Sequence, residues 1–309
     1  MRKQFNPEGS LIGTHSNSES ICTLERLENA MRDGLILEAR TTLCDSEQNL
    51  FVELGPYKGI IPKNETLYSA DGCIKDIAIL TRVGKPVCFK IIESIVDGQG
   101  GKSFILSRKA AQEECIEKYI SRLNPGDIVP ARVTHLENFG AFVDIGCGVI
   151  SMLPIDCMSI SRIAHPRDRF EVGQYIKVIV KTRMDDYGRV TLSHKELLGT
   201  WEENAALFSQ GITVAGIVRT IESYGVFVEL TPNLAGLAEY REGVCVGNHV
   251  AVYIKSIIPE KMKIKLVIVD SGKPEKITGQ IKYFIDSNHI DQWNYSPEGC
   301  DKIIESVFV

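Results

Sequence analysis

The residues in this 309-residue chain best suited to chemistry are Phe139-Gly140-Ala141-Phe142, two aromatic rings set around a glycine. A ring that faces water is a flat, sequence-tolerant surface on which a nucleic-acid base can stack, for roughly 1–3 kcal/mol per base. Alternation assigns the faces of the two strands that meet there. Val129, Ala131 and Val133 share one side of the first, and Ala141, Val143 and Ile145 share one side of the second. Phe142 and Asp144 therefore point the other way, toward solvent.

The elements that must hold this motif recur. Aligning Phe142 with Phe227 matches GDIVPARVTHLENFGAFVDIG, from Gly126, with GITVAGIVRTIESYGVFVELT, from Gly211, without a gap. Val214, Gly216, Val218, Val226, Val228 and Leu230 take the inward positions of the second copy. A fainter copy begins at Gly34, with Leu50, Val52 and Leu54 inward and Phe51 outward. The spacing of about 85 residues is too long for a solenoid repeat and suits a small domain plus a connector. Each copy reads as about five short alternating strands punctuated by glycine, which predicts a Greek-key barrel of the OB type. Lys109–Leu123 and Thr200–Phe208 read as helical connectors; Thr200 and Glu203 have the spacing of a capping box, and Trp201 reads as a packing anchor.

The fold class expected is thus all-β: three tandem five-stranded OB-fold barrels joined by short α-helices. The divisions expected are an N-terminal segment 1–33, a divergent first module 34–110, a connector 111–123, a second module 124–198, a connector 199–210, a third module 211–270 and a tail 271–309. The apolar residues of the tail, such as Trp293, Tyr295 and Phe308, predict partial order there.

Composition narrows the function. The net charge is −5, and within each module acids and bases nearly balance, so any polyanion must be held by local patches and stacking rather than bulk attraction. The nine cysteines form no CxxC pair and no zinc spacing, which predicts reduced thiols, no metal and no cofactor. No segment has the apolar length of a membrane helix and the N-terminus lacks a signal-peptide core, so a cytoplasmic protein is expected. Phosphate-loop, zinc-protease and serine-hydrolase motifs are absent, which argues against an enzyme. Gly98-Gln99-Gly100-Gly101-Lys102-Ser103 ends like a phosphate loop but sits in a hairpin and opens no helix. His135, His165 and His194 lack the grouping of ligands or a catalytic triad. The densest basic stretch, Ser161 to Arg169, reads either as an ordinary charged loop or as an auxiliary phosphate contact.

The run VTHLENFGAFVDIG, followed by VGQYIKV and GRVTLS, resembles the S1-type RNA-binding domain, strongly in the second module, well in the third and weakly in the first. The three-module layout is similar to that of the short ribosomal protein S1-like proteins of Gram-positive, clostridia-type bacteria. The resemblance implies an RNA site on one barrel face, made of two aromatics, a histidine on the third strand, and an Asp and Arg bracketing the last turn. Those roles fall on Phe139, Phe142, Asp185 and Arg189, with Pro154 at the histidine position. In the third module they fall on Tyr224 and Phe227, with Glu239 at the histidine, Pro259 at the Asp and Lys263 at the Arg position. Alternation with Ile264 and Leu266 sends both Lys263 and Lys265 outward, where they can meet phosphates. In the first module Gln48 replaces one aromatic, Phe51 keeps the other, Pro62 stands at the histidine position and Ser103 at the Arg position, with Lys102 nearby. What the resemblance implies is a non-enzymatic protein that holds single-stranded RNA with low sequence specificity, namely mRNA at the small ribosomal subunit during translation. The binding order expected is middle, third, first. The competing expectation is a protein-docking scaffold on the ribosome or the transcription machinery.

Overall fold

A computed structural model describes residues 5–69, 72, 74–96, 101–185, 188–272 and 281–308. Cys73 and residues 98–100 of the glycine-rich hairpin lie outside the described residues. Two helices lead the chain, α1 (His15–Ile21) and α2 (Leu24–Asp33), each capped by a threonine hydroxyl, Thr14 and Thr23. The first barrel follows: β1 (Leu37–Cys44), β2 (Leu50–Leu54), β3 (Tyr57–Ile61), the short α3 (Asp76–Leu80), β4 (Pro86–Val96) and β5 (Lys102–Ser107). Its strands close in the order β1-β2-β3-β5-β4, and Leu50, Val52 and Leu54 are buried as alternation requires.

Helix α4 (Arg108–Lys118) then leads to the middle module: β6 (Ile128–Glu137), β7 (Gly140–Asp144), β8 (Ile150–Pro154), β9 (Tyr175–Val180) and β10 (Leu192–Ser193). Ala111, Cys115, Tyr119, Ile120 and Leu123 of this connector are buried in the middle core beside Val129, Val143 and Ile145. The order is β10-β9-β6-β7-β8, and here the sheet is not fully closed. β10 is only two residues long, so a single parallel bridge between Met152 and Thr191 spans the seam where the other barrels have a parallel strand pair. The module with the strongest family pattern has the weakest seam.

Helix α5 (Trp201–Ala205) carries the expected capping box and buries Trp201. The third barrel comprises β11 (Thr213–Glu222), β12 (Gly225–Thr231), β13 (Leu234–Ala238), β14 (His249–Ile258) and β15 (Lys263–Ser271), closed like the first. A final hairpin pairs β16 (Gln292–Asn294) with β17 (Glu305–Val307).

All three modules share an irregularity in the first strand, between Thr41 and Leu43, Val133 and His135, and Val218 and Thr220. A bulge inserts one residue and reverses the alternation beyond it. Leu43, His135 and Thr220 therefore stand directly across from Phe51, Phe142 and Phe227. Unbroken alternation from Val133 would have sent His135 into the core.

Both terminal segments act as straps. Phe5 packs into the middle core, the Asn6 carbonyl accepts from Cys147 N–H (2.9 Å), and the Glu8 carboxylate takes Arg108 Nε and Nη2 (2.6 and 3.0 Å) and Cys88 N–H (3.1 Å). Gly9 and Leu11 N–H groups donate to Glu38 in β1 (3.0 and 2.9 Å). This segment thus joins the first and middle modules. The tail joins the middle and third. Ile128 N–H donates to Asn288 (2.9 Å), Ile290 N–H to Gly126 (3.0 Å) and Phe284 N–H to Leu197 (2.9 Å), while Trp293 and Tyr295 enter the third core.

Candidate nucleic-acid interface

The F-G-A-F turn works because its second residue has no side chain. A Cβ on Gly140 would sit 2.6 Å from the Leu153 carbonyl of β8, and one on Gly225 would sit 2.6 Å from the Ala238 carbonyl of β13. Only glycine permits that approach. It lets the flanking rings close into a pair. Phe139 and Phe142 meet edge to face, centroids 6.0 Å apart and planes at 89°; Tyr224 and Phe227 repeat this at 6.1 Å and 89°. The outer ring of each pair is open to water, with Phe139 53% and Tyr224 67% exposed.

Around the middle pair, the His135 ring lies against Phe142 at 6.3 Å in a stacked arrangement, held by its Nε2 at 2.6 Å from the Glu137 carboxylate. Met152 is the cross-strand neighbour of Phe142, and Pro154 ends β8 opposite Gly140. At the last turn the Arg189 backbone N–H and Nε donate to the two oxygens of Asp185 (2.8 and 3.0 Å). The bidentate turn holds the arginine at the surface, where it is 71% exposed. Around the third pair, Leu237 faces Phe227, and Lys265 is in register with Leu237 on the next strand. Lys263, Lys265, Glu239 and Pro259 are all exposed, while Ile264 and Leu266 are buried.

The first module has lost this arrangement. Gln48 adopts a left-handed φ of 66°, and Asn49, in the glycine's place, donates to Asp45 (2.9 Å) and accepts from Lys63 N–H (3.2 Å). Lys102 is ion-paired with Glu28 of α2 at 2.8 Å. Phe51 remains, half-buried and without a ring partner at position 48.

One expectation is corrected. Asp144 does not face solvent beside Phe142. It is buried, accepting Glu8 N–H at one oxygen (2.7 Å) and Gly146 and Gly148 N–H at the other (2.8 and 3.0 Å). Burial, with the Glu8 charge, pushes its pKa up to about 7 against the pull of those donors. The basic loop is not wholly free for phosphate. Arg169 is committed to the third module, where Nη1 and Nη2 donate to Glu229 (2.9 and 2.5 Å), and Arg219 grips the same carboxylate through Nε and Nη2 (2.8 and 3.0 Å). Asp144 and Glu229 hold the same repeat position, two residues beyond the outward aromatic. In both modules that acid is where a preceding part of the chain docks. The shared position was visible in the repeat; its docking partners were not.

Sequence reasoning missed His135 as part of the middle face, because the bulge that turns it outward has no period-2 signature. The other histidines are structural. His165 Nδ1 accepts from Arg167 N–H (3.0 Å). His194 is buried between Phe170 and Tyr283 with Nδ1 on the Met158 carbonyl, and burial pulls its pKa down to about 4. Among the described residues no group of His, Cys, Asp or Glu is arranged to hold a metal ion, and no helix is long and apolar enough to cross a membrane.

The S1 RNA binding domain family matches residues 122–195, the module built around Phe139 and Phe142. The small ribosomal subunit protein bS1 of Staphylococcus haemolyticus is 30% identical over 283 residues, which is 90% of this chain and 69% of that protein. That of Staphylococcus aureus is 28% identical over the same shares. Among solved structures, a multidomain protein with nucleic acid binding domains from Streptococcus pneumoniae aligns with 77% of this chain and 74% of its own, at 14% identity and a TM-score of 0.26. With 30% identity over 90% of its own length and over two thirds of the staphylococcal protein, the chain belongs to the small ribosomal subunit protein bS1 family.

Proposed function

We propose that this protein holds single-stranded RNA on the outer faces of its middle and third barrels, keeping unstructured mRNA at the small ribosomal subunit during translation. The role is non-enzymatic and cytoplasmic and needs no cofactor. The observation that carries the reading is the exposed edge-to-face ring pair, repeated at 6.0 and 6.1 Å on two barrels. Phe139 and Phe142 stack bases, as do Tyr224 and Phe227. Arg189, oriented by Asp185, meets phosphate in the middle module, and Lys263 and Lys265 do so in the third. Stacking reads any base, so sequence preference is low, single strands are favoured over duplex, and binding tightens at low salt. Titration of a labelled unstructured RNA tests this with Phe142→Ala and Arg189→Ala. Each is expected to weaken binding; unchanged affinity in both would remove the middle-module site.

The docking-scaffold reading draws on one observation, that Pro154 and Pro62 offer no hydrogen bond where the family pattern has a histidine. Retention on ribosomal subunits after RNase treatment, together with negligible direct RNA binding, would select it.

A further inference from the structure

The basic loop of the middle module docks on the third module at Glu229 and the turn after β12. Ile160 N–H donates to Asn233 Oδ1 (3.0 Å), Ser161 N–H to the Pro232 carbonyl (3.1 Å), and Arg169 to the Glu229 carboxylate, while Asp168 approaches Arg219 (3.5 Å). These anchors clamp the two ends of the loop to β12 and to the turn that follows it. Glu229 and Phe227 alternate onto the same outer side of β12, so the clamp is two residues, about 7 Å, from the stacking ring. Between its anchors the loop carries Arg162 and Arg167, both exposed and without an ion-pair partner among the described residues. The His165 side chain caps the turn at Arg167, which fixes where that arginine leaves the backbone. On the other side of the ring, across β13, stands Lys265.

We propose that the third RNA-binding face is composite: Arg162 and Arg167 of the middle module supply phosphate contacts to a strand stacked on Tyr224 and Phe227. This rests on the reading of those rings as a base platform. The third barrel carries acids, the exposed Glu239 among them, in equal number to its cations, which leaves it short of net positive charge. The neighbour's loop makes good that shortage along the strand direction, as Lys265 does across it. The ligand is a single-stranded polyanion whose consecutive phosphates meet cations from two modules, and the clasp at Glu229 keeps those cations at a fixed distance from the ring.

The test uses the full chain carrying Phe142→Ala, which silences the middle face, and follows anisotropy of a fluorescein-labelled oligouridylate over a range of salt. Adding Arg162→Ala and Arg167→Ala together is expected to lower affinity about three- to ten-fold. It should also flatten the slope of log K against log salt by about 1.4, the value for two phosphate contacts on a single strand. The loss should largely vanish when Phe227→Ala is also present. If Phe227→Ala weakens binding but the arginine pair does not, the composite site is overturned while the stacking reading stands. An arginine effect of full size in the Phe227→Ala background would place those contacts elsewhere and also overturn it. If Phe227→Ala itself changes nothing, the third-module reading fails and takes the proposal with it.

Discussion

The middle and third barrels present the same pair of rings on different surroundings. The ring geometry agrees to 0.1 Å, at 6.0 and 6.1 Å, because both pairs are set by the same glycine approach to the neighbouring strand. What lies two residues further along differs in kind. Asp144 is sealed under the N-terminal strap in a network with Glu8 and Arg108, whereas Glu229 is held by two arginines, one from each module. The repeat thus builds the platform, and the junction decides what stands beside it. One junction places a buried carboxyl network next to the rings; the other places a loop with two exposed arginines.

The largest expected effect separates the two junctions. Arg108 and Glu8 are almost fully buried, and although burial pushes the Glu8 carboxyl up, the guanidinium holds it below the usual range. Arg108→Ala leaves a desolvated acid with the Cys88 N–H at 3.1 Å and, as its cation, the longer Arg82 contact at 3.5 Å. Removing one partner of a buried pair costs about 3–5 kcal/mol. Arg169→Ala leaves Glu229 with its bidentate Arg219, so a loss of about 1–3 kcal/mol is expected. Denaturant unfolding of the two variants makes the comparison. Equal losses would erase the distinction between the clasps.

Next in size is the contrast between the faces themselves. Phe142→Ala should weaken binding of an unstructured oligoribonucleotide by about 1–3 kcal/mol, and Phe227→Ala by less. The middle rings have His135 stacked against Phe142, while the third face mixes its lysines with Glu239. A larger loss from Phe227→Ala would invert the ranking of the two faces.

The first–middle junction should respond near neutral pH. Burial, reinforced by the Glu8 charge, pushes Glu38 up to about 7, against the Gly9 and Leu11 N–H groups that favour its anion. The native state therefore keeps a proton that the unfolded chain releases from near pH 4.5. This stabilisation is complete below that value and is lost as pH rises through 7, by about 1.4 kcal/mol between pH 6 and 8. Hydrogen exchange at Gly9 and Leu11, corrected for its intrinsic pH dependence, should report the loosening. Emission from Trp201 and Trp293, both in the third core, should stay constant. Glu38→Gln, whose amide oxygen can still accept both N–H groups, should reduce the response to the part that comes from Asp144, whose carboxyl is also pushed up to about 7.

Much of this arrangement was legible because it is local. Period-2 alternation locates Val129, Ala131 and Val133, Leu50, Val52 and Leu54, and the outward Lys263 and Lys265; the Thr200–Glu203 spacing locates a helix start. The turn ring Phe139 stood out as one of two aromatics around a glycine, and Tyr224 followed from the family resemblance. What was not legible is pairing at long range. Glu8 and Arg108 are 100 residues apart, and Arg169 and Glu229 are 60 apart, so no spacing rule links them. Asp144 was misplaced for that reason: its alternation was read correctly, but the strap that covers it comes from elsewhere in the chain. The incomplete closure of the middle barrel escaped notice because it depends on how many residues of the last strand pair, not on their pattern.

The smallest expected effect tests whether the bulge residue belongs to the face. His135 stands across from Phe142 with its ring stacked on it, and Thr220 stands in the corresponding place across from Phe227. The imidazole extends the flat surface and backs the phenyl ring, a contact of a kind worth about 0.5–1.5 kcal/mol. His135→Thr should therefore weaken RNA binding by about 0.5–1 kcal/mol without changing fold stability, since the side chain is exposed and its hydrogen bond to Glu137 is a surface one. Thr220→His, made in the Phe142→Ala background, should strengthen binding by a similar amount. If His135→Thr is neutral while Phe142→Ala is not, the imidazole merely covers the phenyl ring, and the advantage of the middle face falls to Arg189 alone. If both exchanges move affinity as expected, one bulge residue accounts for part of the difference between two otherwise matching platforms.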